Sequence, residues 1–140
     1  MRLEKALGYA GAVLAVLWAI VHLDLALMLY KTKVYGLHIY ADFFVFTAVL
    51  ALVSAWVFAA NFRKLYFLTL IFYIIDTILV TETRVGPAPF FGHPLPVNIY
   101  VIETWILDAL LVAVSATIWL TTRGKPAEAK KVVTEKAEQK

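Results

Sequence analysis

Four long apolar stretches dominate the chain, over about residues 8–30, 36–60, 65–82 and 98–120. An α-helix needs about 20 apolar residues to cross the hydrocarbon core, and each stretch is near or above that length. All five prolines (Pro87, Pro89, Pro94, Pro96 and Pro126) lie outside the four stretches, which leaves each helix uninterrupted. The pattern predicts an all-α protein, a four-helix transmembrane bundle within residues 1–122, with both termini on the same side. The first stretch is too long for a signal peptide, and His22 and Asp24 occupy the region where a cleavage site would follow. The first two connections are short, so helices one to three must run as antiparallel neighbours. The third connection, over residues 83–97, is longer and rich in Gly and Pro, and is expected to fold over one end of the bundle. Residues 123–140 are charged and of mixed sign and are expected to form a disordered cytoplasmic tail.

Small residues recur one helical turn apart: Gly8 and Ala12, Gly11 and Ala15, the series Ala51, Ala55 and Ala59, and Ala109 with Ala113. In lipid such stripes let helix backbones approach closely. Packing within one bundle accounts for them. Association as a homodimer or within a larger membrane complex is also compatible with them.

Composition sharpens this picture. The chain has 140 residues, of which 62% are hydrophobic, and a mean hydropathy of +0.79, well beyond a soluble domain of this size. The absence of cysteine excludes disulfides, thiolate metal sites, cysteine nucleophiles and c-type haem attachment. The net charge of +3 comes with no basic-aromatic stripe, so the basic residues fit a membrane surface and not a nucleic acid. Arg2, Lys5, Arg63, Lys64, Arg123 and Lys125 fall on one side of the predicted bundle; Lys31, Lys33 and Arg84 fall on the other. The positive-inside rule then puts both termini in the cytoplasm.

The candidate chemistry lies inside the membrane. His22, Asp24, His38, Asp42, Asp76, Glu103 and Asp108 fall within the predicted spans, and Glu82 sits at a boundary. An aspartate at a helix centre costs on the order of 2.5–3.5 kcal/mol, so such residues point to a buried polar site. At about 1.5 Å of rise per residue, Glu103 lies about 8 Å and Asp108 about 15 Å into helix four. His22, Asp24 and Asp76 lie past the middle of their helices, and His38 and Asp42 near the start of theirs. Antiparallel alternation gathers all of them in one half of the bundle, beneath the Pro-rich loop; the other half is apolar apart from small or hydroxyl residues such as Ser54. Acids outnumber counterions there, so some carboxyls are expected to be neutral or to sit beside an imidazolium or Arg84. His22, Asp76 and Asp108 are expected to face one another across the interior, with Asp76→Asn and Asp108→Asn preserving the fold but weakening function.

His38 and Asp42, one turn apart, have the spacing of metal ligands, and His22 with His38 could ligate a haem. No helix offers a Glu-x-x-His pair, however, and three histidines are few for a dinuclear carboxylate site. No lysine lies mid-membrane to form a retinal Schiff base. The expectation is therefore no metal and no cofactor. Aromatic residues accompany the polar half: Trp18, Tyr30, Tyr40, Phe43, Phe44, Tyr73, Tyr100 and Trp105. Some anchor the interface, and a subset is suited to line a pocket for a flat apolar ligand or to stabilise a carbocation.

Several of these residues stand in a recognisable order. Helix one carries Val21-His22-Leu23 and then Leu29-Tyr30, and helix two carries Tyr40-Ala41-Asp42-Phe43. Asp76, Thr81-Glu82-Thr83-Arg84, Gly92-His93-Pro94-Leu95 and Asp108-Ala109-Leu110 then follow in sequence. In this the chain resembles, over residues 13–124, the emopamil-binding or EXPERA-domain family of four-helix membrane proteins, which includes sterol double-bond isomerases and the sigma-2 receptor. The resemblance implies a polar intramembrane pocket for a lipid-like ligand. It carries His22 over directly and Asp108 as a changed residue, where the isomerases have asparagine. The isomerases' two glutamates are absent: their positions correspond to Ala26 and to about Val49.

The function expected from the sequence is that of an isomerase-like or ligand-binding protein acting on a sterol- or isoprenoid-like molecule. Protonation of a double bond, stabilisation of the cation and loss of another proton would need an acid, a base and a dry cavity. His22, Asp24, Asp76 and Asp108 are the candidate catalytic residues; His38, Asp42, Glu103, Trp105 and Tyr73 are the candidate ligand contacts. The alternative is a small accessory subunit of a larger membrane complex, respiratory for example, whose acids serve assembly or proton conduction.

Overall fold

The computed structural model of the chain describes residues 2–123. The tail expected beyond residue 123 lies outside the described residues. Four helices are present: α1 (Arg2–Tyr30), α2 (Tyr35–Ala59), α3 (Tyr66–Val85) and α4 (Ile99–Arg123), with one 3-10 turn at Arg63–Leu65 before α3. The described residues contain no strand, and the fold is an all-α four-helix bundle. Each helix is long and apolar enough to cross a bilayer. Large apolar side chains such as Val13, Ile20, Phe46, Trp56, Leu68 and Ile106 are exposed on the outer faces. In water so much apolar surface would be a liability, whereas in a bilayer it is the lipid-facing surface. The protein is therefore an integral, multi-pass membrane protein.

The helices pack unevenly. α1 lies between α2 and α4, α3 packs on α4, and α2 and α3 touch each other little. Residue size explains the tight α1–α2 seam. Ala15, Ala19, Ala48 and Ala51 are fully buried, and the missing side chains of Gly8 and Gly11 are filled by Phe58. A Cβ on Gly8 would lie 2.9 Å from the Phe58 carbonyl oxygen, and one on Gly11 would lie 2.8 Å from Phe58 Cδ1. Small-residue stripes thus work here by close backbone approach. Ala109 and Ala113, by contrast, lie on an exposed face of α4.

One end of the bundle is closed by specific polar contacts. Arg63 Nη2 donates to Glu4 Oε2 at 3.1 Å within an ion pair whose Nε–Oε1 separation is 2.8 Å, and Tyr66 Oη donates to Asn61 Oδ1 at 2.8 Å. Asn61 takes the left-handed conformation (φ 57°) that turns the chain from α2 toward α3. Above it Ser54 and Tyr73 share a short hydrogen bond between α2 and α3, and Thr69 reaches Ser115 at 3.5 Å. At the opposite end lie the α1–α2 turn and the α3–α4 loop. Here Tyr40, Phe43 and Phe44 of α2 line a cavity beneath the loop.

Candidate functional site

The site is built around α1. Trp18 and His22, one turn apart, share the inward face of that helix and are both fully buried. Their rings stack with centroids 3.4 Å apart. His22 Nδ1 lies 3.0 Å from the Trp18 carbonyl oxygen, which can only accept, so Nδ1 carries the proton. The neutral ring then has Nε2 as an acceptor. Phe44 of α2 meets the His22 ring edge-on, with centroids 5.5 Å apart.

Behind Trp18 lie the two buried acids. Trp18 Nε1 donates to Asp108 Oδ1 at 2.7 Å. Thr77 Oγ1 donates to Asp108 Oδ2 at 3.3 Å. Asp76 is buried beside Asp108, and its Oδ2 has no hydrogen-bond partner among the described residues. His22, Asp76 and Asp108 therefore all lie in the bundle interior, with Trp18 between the imidazole and the carboxyl pair.

A cavity of about 250 Å³ opens in front of His22. Its walls are mainly apolar and aromatic: Leu25, Tyr40, Phe43, Phe44, Leu79 and Val101. Thr83, Arg84, Tyr100 and Thr104 add polar groups. All four helices contribute, and Pro89 and Phe90 of the α3–α4 loop form the roof.

Three contacts pin that loop. Tyr40 Oη donates to the Pro89 carbonyl at 3.0 Å, Leu95 N donates to the Thr83 carbonyl at 2.9 Å, and Phe91 Cζ lies 3.3 Å from the position a Cβ on Gly36 would take. Ala88 is buried beneath the loop. Phe90 has φ 67°, a left-handed conformation that is costly for a bulky side chain. Such strain persists only where the surrounding contacts impose it, and here it holds Phe90 over the cavity. His93 is exposed and bonds the Pro94 carbonyl at 3.0 Å.

Of the nine candidate catalytic and ligand-contact residues, His22 is the one that lines the cavity, together with Tyr40, Phe43, Phe44 and Tyr100 from the aromatic set. Asp76 and Asp108 are brought together but sit behind Trp18. Asp24 is exposed and accepts from Tyr100 Oη at 2.9 Å. It follows His22 by two residues, about 200° around the helix, and so cannot share its face. Asp42 is also exposed and accepts a short hydrogen bond from Tyr30 Oη. His38 Nε2 lies 2.6 Å from the Thr32 carbonyl and fastens the α1–α2 turn. Trp105 Nε1 donates to Thr81 Oγ1 at 3.2 Å, Tyr73 is fully buried against Ser54, and Glu103 is half-buried on α4. These last six residues fall outside the cavity wall. His38 and Asp42 turn to different partners despite their one-turn spacing, and the described residues contain no cluster of three metal-ligating side chains.

Two contributors take roles other than those expected of them. Trp18 acts through its indole N–H, a role foreshadowed by its one-turn spacing from His22. Arg84, anticipated as a counterion to the acids, instead lines the cavity, with Nε and Nη1 buried and without an acceptor among the described residues. Comparison with protein-family models, curated proteins and solved structures finds no match to the chain.

Proposed function

We propose that the protein binds a hydrophobic, sterol- or isoprenoid-like molecule in the capped cavity, with His22 as its polar contact at the inner wall. The observation that carries this reading is an inward-facing imidazole, its Nδ1 committed to the Trp18 carbonyl, at the wall of an otherwise aromatic cavity. Apolar walls with a few convergent polar groups are the usual make-up of small-molecule sites. The volume, about 250 Å³, is just below the roughly 300–1,000 Å³ of drug-sized sites. It suits one end of a lipid-like molecule whose remainder lies between helices or in the bilayer. The weak α2–α3 contact gives that remainder a lateral path.

The same geometry restricts the chemistry. Asp76 and Asp108 do not line the cavity, so a double-bond shift there would use His22 as its base. Nε2 would take a proton from one allylic carbon and return it to the far end of the double bond, leaving the ligand's composition unchanged. The carboxyl pair acts at one remove, by fixing Trp18, on which His22 stacks. The resemblance to the emopamil-binding family points to the same class of ligand. The basic-residue bias supports a topology with both termini in the cytoplasm and the capped cavity in the outer half of the membrane.

Native mass spectrometry with lipid identification on gently purified protein tests the reading. A bound hydrophobic molecule that is not a bulk bilayer lipid is expected in the wild type and depleted in His22→Phe, which keeps a ring against Trp18. Equal retention of bulk phospholipid by both proteins would overturn the proposal, as would stable co-purifying subunits with no small molecule bound.

A further inference from the structure

Burial and charge distribution around the cavity constrain the ligand further, given that the cavity is a ligand site as proposed above. Acidic residues are abundant at this end of the bundle, yet none lines the cavity. Asp24 is turned to Tyr100 and Asp42 to Tyr30. Asp76 and Asp108 are enclosed with each other behind Trp18. The formally charged group in the wall is Arg84.

Arg84 sits in the last turn of α3, one residue before the helix ends at Val85, and so near the membrane boundary. An arginine at that depth commonly reaches out to the headgroups. Arg84 is half-buried and turned to the cavity, and its Nε and Nη1 are shut off from solvent without an acceptor. A guanidinium without a compensating anion in a low-dielectric site is costly, and an anionic group beside it recovers much of that cost. Tyr40 and Tyr100 do not compete for the position, because their hydroxyls are committed to the Pro89 carbonyl and to Asp24.

We propose that the cavity selects an amphiphile with an anionic oxygen head group, a carboxylate or a phosphate monoester, seated at Arg84 beneath the loop. Its apolar body runs past Phe44 toward His22. The site therefore discriminates against cationic amphiphiles of the same length, because the acids that would attract them face elsewhere.

Oleate, oleyl phosphate, oleyl alcohol and oleylamine share one chain and differ in the head. Their binding to the full chain in uncharged maltoside micelles can be followed by tryptophan fluorescence. Wild type is expected to bind at least one of the two anionic amphiphiles about tenfold or more tighter than the alcohol, the scale of one charge-assisted hydrogen bond, and the amine most weakly. Whichever of oleate and oleyl phosphate binds tighter identifies the head. Arg84→Gln should remove the preference, bringing the anionic amphiphiles to the affinity of the alcohol. Arg63→Gln, at the far end of the bundle, should keep it. Equal binding of oleate, oleyl phosphate and the alcohol by wild type would overturn the head-group assignment and leave the cavity as a site for neutral lipid. Persistence of the preference in Arg84→Gln would overturn it too, as would displacement of oleate by phosphatidylglycerol at equal concentration, which would mark a general headgroup contact. Failure of all four amphiphiles to bind would instead remove the ligand-site reading on which this inference rests.

Discussion

Trp18 on α1 and Asp108 on α4 are joined across the bundle by a hydrogen bond of 2.7 Å, with both side chains wholly buried. The bond links the two halves of the site. On one side of the indole lies the imidazole that lines the cavity; on the other lies a pair of carboxyls with no access to it. Asp108 thereby satisfies an indole N–H that has no water to turn to, and the indole in turn fixes the plane against which His22 stacks. The acids conspicuous in the sequence thus act as supports of the site and not as its wall.

Replacement of Asp108 separates these roles. Asp108→Asn retains a carbonyl acceptor for Trp18 and should preserve the fold. Asp108→Ala leaves a buried donor without a partner and should cost about 1–3 kcal/mol. Unfolding in mixed micelles at increasing denaturing-detergent fraction measures the difference. Equal stability of the two variants would show that the indole does not depend on this acceptor.

The α1–α2 seam makes a second prediction. Gly8→Ala would place a methyl 2.9 Å from a backbone oxygen, which cannot rotate away. The helices must then separate, at a cost of about 1–3 kcal/mol in the same unfolding assay. Ala113→Leu adds more volume but on an exposed face, and should change stability by less than about 0.5 kcal/mol. A larger effect at Ala113 than at Gly8 would locate an intermolecular contact on α4 instead.

Orientation can be read with single cysteines, since the chain has none of its own. Val34 lies exposed in the α1–α2 turn and Ala60 is exposed after α2, at opposite ends of the bundle. Val34→Cys should react with an impermeant thiol reagent in intact cells, and Ala60→Cys only after permeabilisation. The reverse pattern would invert the assignment drawn from the basic residues.

Hydropathy made the four helices legible because lipid imposes a length on each span. It located the ends less well. α1 begins at Arg2, earlier than the residue 8 expected, and α3 continues to Val85, past the expected residue 82. The apolar run marks the hydrocarbon layer, and a helix continues into the interface for as long as its backbone bonds are made. The depth of His22, Asp76 and Asp108 was legible for a similar reason: ionisable groups at the midplane must face inward. Which of them meet was not, because that depends on the rotation of each helix and on α1 lying beside α4. Asp24 and Asp42 show the limit of reasoning from depth alone. Both sit close enough to the capped end for a tyrosine to hold them at the outside of the bundle. The inward turn of Arg84 was illegible because an arginine at a helix end is equally suited to reaching the headgroups.

The roof of the cavity gives the last prediction. The loop bears an exposed Phe90 in a strained conformation and yet carries a set of internal hydrogen bonds. Ala88 N donates to the His93 carbonyl at 3.1 Å, and Gly92 N donates to the Ala88 carbonyl at 3.1 Å. Leu95 N is tied to α3 through Thr83, and Tyr40 ties Pro89 to α2. If these bonds hold the roof in place, the amides of Ala88, Gly92 and Leu95 exchange slowly although they lie in a surface loop. Tyr40→Phe removes the contact to Pro89 without changing the ring. Loss of one hydrogen bond, worth about 1 kcal/mol, should speed exchange at Ala88 and Gly92 roughly fivefold. Leu95, held from the other side, should change little. Amide exchange by mass spectrometry on wild type and Tyr40→Phe reads all three positions. Free exchange throughout residues 88–95 in the wild type would mean that the cavity has no fixed roof, and the strain at Phe90 would then have no contact to sustain it.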